Sequence, residues 1–114
     1  LSRGEVEKLF DKGQSFHAKH FVLKVLKSRR TQSRFCITFS KKLSLKAHQR
    51  NTIRRRIYEA IRKNPEMEPE NMDIAFIVKV SLIEQPRKAL ESHVKESLLL
   101  IRTTKSHSSA SKHE

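Results

Sequence analysis

Apolar residues change their spacing along the chain, and each change marks a predicted element. Near the start, Ser2 and Glu5 have the spacing of a capping box, and a short apolar stripe follows them. Gly13 then stands where a helix commonly ends. This arrangement predicts a first helix from about Arg3 to Lys12.

Two strands are predicted next. Phe21–Lys27 and residues 34–40 are rich in β-branched and aromatic side chains, and they flank the polar segment 28–32. Apolar and polar residues alternate in the second segment, so that one face of the strand is apolar. The short connection predicts that the two strands are antiparallel neighbours. Residues 14–18 are a candidate for a further, short edge strand.

Residues 41–63 form the most distinctive segment, because nine Lys or Arg occur there against one Glu. Four apolar residues repeat at the period of a helix, about 3.6 residues: Ile53, Ile57, Ala60 and Ile61. At about 100° per residue, a polar and largely cationic sector lies beside that stripe. It consists of Asn51, Arg54, Arg55, Tyr58 and Arg62. The pattern predicts a helix that docks on a core and displays positive charge outward.

An acidic segment follows the basic helix, and Pro65 and Pro69 interrupt it, which predicts a loop. Its acidic residues are Glu66, Glu68, Glu70 and Asp73. Residues 73–80 are a nearly continuous apolar run, as expected of a strand that is covered on both faces. We therefore predict that this strand is central or parallel.

The C-terminal part predicts one more helix, with Pro86 in its first turn. Its apolar positions repeat at helical spacing: Leu90, Val94, Leu98 and Ile101. Residues 104–114 are rich in Ser, His and Lys and have nothing to bury, so we expect a disordered tail. Together the elements predict an α+β fold of about αβββαβα order, a two-layer sandwich with helices packed on a small sheet. Residues 1–103 then form a single domain.

The charge of the chain favours nucleic acid as the partner. There are 25 Lys or Arg and 12 Asp or Glu in 114 residues, a formal net charge of +13. Such a surplus usually signals nucleic acid or an anionic surface. A solvated basic face that only aids solubility is the alternative, but these charges are more clustered than solubility requires.

The apolar runs and the cysteine content indicate in which compartment of the cell the protein is expected. No apolar run approaches the roughly 20 residues of a membrane span. The single cysteine, Cys36, fits a reducing compartment. We expect a cytoplasmic protein with no membrane partner.

A protein-based active site is not evident in the sequence. Two glycines are too few for a Gly-rich phosphate loop, and no Ser, His and Asp set stands out. His17 and His20 have a plausible ligand spacing, but with the distant Cys36 they make a weak zinc site. We predict no catalytic and no metal-ligating residues, so that any reaction must be performed by a partner.

The order of elements and the motif around the basic helix resemble the bacterial ribonuclease P protein component. The resemblance covers about residues 3–100. Its most specific parts are Ser-Lys-Lys at residues 40–42 and the run from Lys46 to Ile57, which contains Arg-Asn and a basic pair. It implies a sandwich similar to a domain of a small-subunit ribosomal protein. It also implies the protein subunit of a ribonucleoprotein endoribonuclease that removes the 5′ leader of precursor tRNA.

The resemblance further implies roles for particular residues. The residues that contact the catalytic RNA are expected to be Lys41, Lys42, Lys46, Arg50, Asn51, Arg54, Arg55 and Arg62. A trough for the single-stranded leader is expected at Phe10, Val22, Lys24, Cys36 and Thr38. The RNA subunit is expected to hold the Mg²⁺ ions that activate water for phosphodiester hydrolysis. The implied partners are precursor tRNA and ribonuclease P RNA, with one protein per RNA.

The chain departs from the usual family pattern at several positions. One extra residue lies between the Lys-Lys pair and Arg50, and Thr52 and Tyr58 stand where basic residues are usual. Val6 and Lys24 occupy positions that are often aromatic.

Two other functional classes are also consistent with the sequence. A ribosomal or general RNA-binding protein shares the charge and the sandwich. A DNA-binding protein places the same helix in a major groove, although few base-reading side chains and no dimer element are evident.

Overall fold

The chain contains both helices and strands, and the computed structural model describes them for residues 3–28, 33–69 and 71–111. The elements are α1 (Arg3–Lys12), β1 (Gln14–His17), β2 (Phe21–Lys27), β3 (Arg34–Phe39), α2 (Ala47–Lys63), β4 (Met72–Val78), α3 (Val80–Ile83) and α4 (Leu90–Ser111). Two 3₁₀ turns, Pro65–Met67 and Arg87–Ala89, precede β4 and α4. No helix within the described ranges is both long and apolar enough to cross a bilayer.

The four strands form one sheet in the order β1-β2-β4-β3. β2 is antiparallel to β1 and β4, whereas β3 is parallel to β4. The prediction that β2 and β3 are neighbours is therefore wrong, because β4 lies between them. Burial explains this order: nearly every residue of β4 is buried, while β3 is mostly half-buried and takes an edge. The predictions of a central, parallel strand and of a short edge strand near residue 14 are confirmed.

The main core lies between one face of the sheet and the two long helices α2 and α4. Its fully buried side chains include Phe21, Leu23, Ile74, Phe76, Val94 and Leu98. The predicted apolar stripe of the basic helix is confirmed, since Ile57, Ala60 and Ile61 are buried and Ile53 packs against the core. The α+β class predicted from the sequence is correct.

α1 packs against β2 and β4 on the other face of the sheet. Leu9 is the buried residue of this helix and is inaccessible to solvent. The Gly13 N–H donates to the Leu9 carbonyl at 2.8 Å, which closes the last turn. The predicted bounds of the first helix are confirmed.

The region after β4 differs from the prediction. The strand ends at Val78, and the chain then forms the short helix α3, which the sequence analysis did not predict. Pro86 precedes a 3₁₀ turn instead of lying in the first turn of the final helix, which begins at Leu90.

α4 continues to Ser111, so the backbone of residues 104–111 is helical where we expected a disordered tail. No Pro or Gly occurs after Pro86 to interrupt the helical hydrogen bonds, and a helix can extend beyond the residues that it buries. Residues 112–114 lie outside the described ranges. The single domain over residues 1–103 stays a prediction.

Candidate nucleic-acid interface

The connection from β3 to α2 presents three predicted RNA-binding lysines. The Lys42 N–H donates to Ser40 Oγ at 3.3 Å, which turns the chain after the strand. The Lys46 N–H donates to Gln49 Oε1 at 2.9 Å and satisfies a donor at the start of α2. Lys41, Lys42 and Lys46 are all exposed. Local backbone hydrogen bonding thus holds these cations beside the first turn of the helix.

Two side chains of α2 attach the helix to the edge strand β3. Tyr58 Oη donates to the Phe35 carbonyl at 3.2 Å, and Arg54 Nε donates to the Ile37 carbonyl at 3.4 Å. The Arg54 guanidinium also lies 5.3 Å from the centre of the Phe39 ring, a cation–π contact. An unpaired strand edge exposes backbone acceptors, and these contacts cover part of it. Arg54 and Tyr58 therefore position α2 as well as carrying polar groups.

The other predicted RNA-binding residues of α2 face solvent. Arg50, Asn51, Arg55 and Arg62 are exposed, whereas Arg54 is half-buried. Asn51 Oδ1 accepts a hydrogen bond from Arg54 Nη1 at 3.2 Å, so Asn51 orients that guanidinium. Among the ion pairs of the described residues, none joins a Lys or Arg of α2 to a carboxylate.

This arrangement can bind phosphate groups. Cations without carboxylate partners, held on a helix whose other face is packed in the core, can release counterions on binding with little ordering of the backbone. Asn51 adds an amide that can donate to or accept from ribose and base edges. The surface, here termed the α2 cationic face, consists of Lys41, Lys42, Lys46, Arg50, Asn51, Arg54, Arg55 and Arg62.

Four of the five predicted leader-binding residues lie together on the sheet face opposite the main core. They are Val22, Lys24, Cys36 and Thr38, and all are half-buried. The strand register places Val22, Ile77 and Thr38 in one row and Lys24, Ala75 and Cys36 in the next. Burial raises the pKa of the Cys36 thiol, so this group is neutral at neutral pH. The surface is thus nearly uncharged apart from Lys24.

Phe10, the fifth predicted residue, lies on α1. It is partly exposed and does not belong to the main core, whereas its neighbour Leu9 is fully buried.

An ion-pair cluster at the end of this face was not predicted. Arg34 donates to both carboxylate oxygens of Asp73, at 3.0 and 2.9 Å, and lies 2.6 Å from a carboxylate oxygen of Glu5. The hydrogen bonds to Asp73 and then Glu5 raise the pKa of Arg34. Asp73 belongs to β4, as the strand predicted from residue 73 requires, although its charge was also grouped with the acidic loop. The missed signal was an Arg at the first position of β3 and an Asp at the second position of β4. The cluster fixes α1 to β3 and β4.

The structure separates the histidines considered for zinc. His17 is exposed on β1, whereas His20 is 4% exposed and contacts His93 of α4, with the ring centres 4.3 Å apart. Over the described ranges, no three His, Cys, Asp or Glu side chains are arranged to hold a metal ion.

Comparison with known proteins decides among the open classes. A family model described as Ribonuclease P matches residues 1–102. The chain belongs to the ribonuclease P protein family. The ribonuclease P protein component of Clostridioides difficile is 37% identical over 92 residues, which is 80% of either chain.

Solved ribonuclease P proteins have the same fold. The protein from Thermotoga maritima is 30% identical, with a TM-score of 0.74 over 90% of this chain and 94% of that one. The protein from Staphylococcus aureus is 21% identical, with a TM-score of 0.76 over 92% and 93%, and this likeness supports the fold alone.

Membership of the ribonuclease P family selects one of the three functional classes. The chain is a protein component of ribonuclease P, the endoribonuclease of tRNA processing, and ribonuclease P RNA is its partner. The ribosomal and DNA-binding alternatives are set aside.

Proposed function

We propose that the α2 cationic face binds ribonuclease P RNA and that the outer face of the sheet binds the 5′ leader of precursor tRNA. The observation that carries the first part is the set of exposed cations on α2 without carboxylate partners, on a helix attached to β3 by Tyr58 and Arg54. Such a surface is pre-organised, so little binding free energy is lost in ordering it.

The support for the leader site is its shape and its chemistry. Adjacent strands lie about 4.8 Å apart, so the row from Val22 across Ile77 to Thr38 spans roughly 10 Å, the width of a single nucleic-acid strand rather than a duplex. Lys24 can meet a phosphate, and Phe10 offers a stacking face at the edge. A nearly neutral, half-buried surface of this kind has few groups that read base edges, so we expect weak dependence on leader sequence.

The chemistry belongs to the RNA subunit in this proposal, with Mg²⁺ held mainly by RNA. Mg²⁺ prefers carboxylate, phosphate and water oxygens, and α2 contributes a single carboxylate, Glu59, among its cations. The α2 residues therefore do not fit an Mg²⁺ site but do fit the phosphates around one. The proposal includes one protein per RNA and a cytoplasmic location, in keeping with the free Cys36.

RNA binding by α2 is tested with Arg50→Ala/Arg55→Ala, because both side chains are exposed and neither supports the sheet. Arg54 is left intact, since it contacts β3. We expect weaker binding to a bacterial ribonuclease P RNA, a plot of log affinity against log salt that is flatter by about 0.7–0.9 per lost contact, and a higher Mg²⁺ requirement for cleavage.

The control is Lys88→Ala/Lys95→Ala, which removes the same charge away from α2. Equal affinities and equal salt slopes for the two double variants would show that general charge, and not the α2 cationic face, binds the RNA.

The leader site is tested with Lys24→Ala against Lys27→Ala. Both lysines belong to β2, but alternation places Lys27 on the other side of the strand. We expect Lys24→Ala to lower the affinity of the holoenzyme for precursor tRNA more than for mature tRNA, and Lys27→Ala to leave this ratio unchanged. An unchanged ratio in both variants would remove Lys24 from the leader site.

A further inference from the structure

A pocket of about 390 Å³ with one apolar wall lies between the N-terminal half of α2, α3 and the 3₁₀ turn before α4. Ile53 of α2, Ile83 of α3 and Leu90 of α4 form parts of its wall. Ile83 is 43% exposed, so part of its side chain is accessible to a ligand beside the pocket. The volume is within the range of small-molecule sites, roughly 300–1,000 Å³.

The charged part of the pocket lining is cationic, and Gln49, Thr52 and Gln85 add neutral polar groups. Arg56 and Arg87 line the pocket together with His48, and no Asp or Glu does. Neither arginine makes an ion pair or side-chain hydrogen bond with another residue of the described ranges. Two unpaired guanidinium groups next to an apolar wall call for a ligand that is both apolar and anionic.

The pocket lies apart from the α2 cationic face. At about 100° per residue, Arg56 is about 200° around the helix from Arg54, on the other flank of the buried stripe. An RNA bound to the outward side of α2 can reach both flanks, because Arg55 and Arg62, which lie between them, are exposed.

We propose that this pocket receives one unstacked nucleobase of the partner RNA, with the flanking phosphates on Arg56 and Arg87. The inference rests on the proposed RNA binding and adds a base-binding site to it. An unpaired base has a planar apolar body that fits against Ile83 and can stack on a guanidinium plane, and its phosphates supply the missing anions. If an apolar segment of a protein occupied the same volume instead, both arginines would be left without an anionic partner.

The RNA arm of the test uses Ile83→Ser and Arg87→Ala, each with a matched control. Val80 is on the same short helix and 42% exposed, but it does not line the pocket, so Val80→Ser controls for Ile83→Ser. Lys88→Ala removes the same charge next to Arg87. We expect each pocket variant to weaken binding to ribonuclease P RNA by about fivefold or more relative to its control.

The nucleotide arm uses the full chain without RNA. Amide resonances are followed while adenosine 5′-monophosphate or ribose 5-phosphate is added. We expect the resonances of Ile53, Ile83 and Leu90 to shift with the nucleotide, to shift less with the sugar phosphate, and to lose the nucleotide response in Ile83→Ser.

The base assignment requires both results. Equal shifts with the two ligands would mean that the arginines bind phosphate only, and equal RNA affinities for Ile83→Ser and Val80→Ser would mean that RNA does not enter the pocket. Concentration-dependent dimerisation that Ile83→Ser abolishes would place a second copy of the chain there; each of these outcomes overturns the proposal. The α2 double arginine variant keeps the two hypotheses separable, because its loss of RNA binding does not depend on the pocket.

Discussion

Gly13 connects α1 to β1, and the structure leaves no room for a Cβ atom at this position. A Cβ built on Gly13 lies 2.3 Å from the Leu9 carbonyl oxygen and 3.3 Å from the Val25 carbonyl oxygen. Backbone atoms on both sides leave no flexible group that can move away, and Leu9 is fully buried. Gly4, on the same helix, has no atom within 4 Å of its Cβ position. A methyl group would therefore collide with the backbone at Gly13 but would contact no other atom at Gly4.

We expect Gly13→Ala to lower the free energy of unfolding by about 1–3 kcal/mol, as overpacking commonly does. Gly4→Ala should be neutral or stabilise the protein by up to about 1 kcal/mol, because alanine favours helix over glycine. Urea unfolding of both variants and the wild type measures this difference. Equal stability of the two variants would show that the turn at Gly13 adapts to the methyl group.

α2 has a buried apolar side and an exposed cationic side. Ile57 is fully buried and belongs to the core, whereas Arg55, two positions earlier, is exposed. The helix holds its cations in place because its apolar side is packed, so stability and the proposed RNA binding depend on different residues of the same element. This separation lets each property be changed alone.

Ile57→Ala should lower the free energy of unfolding by about 2–5 kcal/mol, because it removes buried methylene and methyl groups. Arg55→Ala should change it by no more than about 0.5 kcal/mol. Denaturant unfolding gives the free energies, and titration with ribonuclease P RNA at a temperature where both variants are folded gives the affinities. A large loss of stability in Arg55→Ala would contradict the assignment of this residue to a purely exposed position.

At the scale of the whole molecule, two histidines form the contact between the β1–β2 turn and α4. His20 is 4% exposed, its Nδ1 lies 2.8 Å from Ser81 Oγ, and its ring packs against His93. Burial is the largest cause of a lowered pKa for His20. The nearby charged or titratable groups are His93, Lys19 and Lys79, which lower this pKa further, and Glu96, which raises it. The folded protein therefore holds His20 neutral at physiological pH.

This contact predicts a pH dependence of stability. The unfolded state takes up a proton on His20 near pH 6.5, but the folded state does so only at lower pH. The free energy of unfolding should therefore be at its full value above about pH 6.5 and fall as the pH drops below it, until the folded-state pKa is reached. Thermal unfolding between about pH 5 and 7.5 measures this dependence.

His20→Gln keeps a polar partner for Ser81 but does not titrate, so its stability should depend less on pH in this range. His17→Gln is the control, because His17 is exposed on β1. If His20→Gln had the pH dependence of the wild type, the source would be another group.

The sequence by itself determined the position of most elements and the cationic character of α2. These are local properties: the spacing of Ile53, Ile57 and Ile61 sets the buried side of the helix, and that spacing leaves Arg55 and Arg62 outside. Alternation within β3 likewise placed Cys36 and Thr38 on one face of that strand. The resemblance added Val22 and Lys24, which share this face across the intervening β4.

Only the tertiary structure decided strand order and the contacts between distant segments. β4 separates β2 from β3 because the most apolar strand buries both of its faces in the middle of the sheet, which depends on every strand at once. The pairing of Arg34 with Asp73, the packing of His20 on His93 and the pocket beside Arg56 and Arg87 join residues far apart in the chain. No local period encodes such contacts, since they arise when the chain packs the sheet between α1 and the pair α2 and α4.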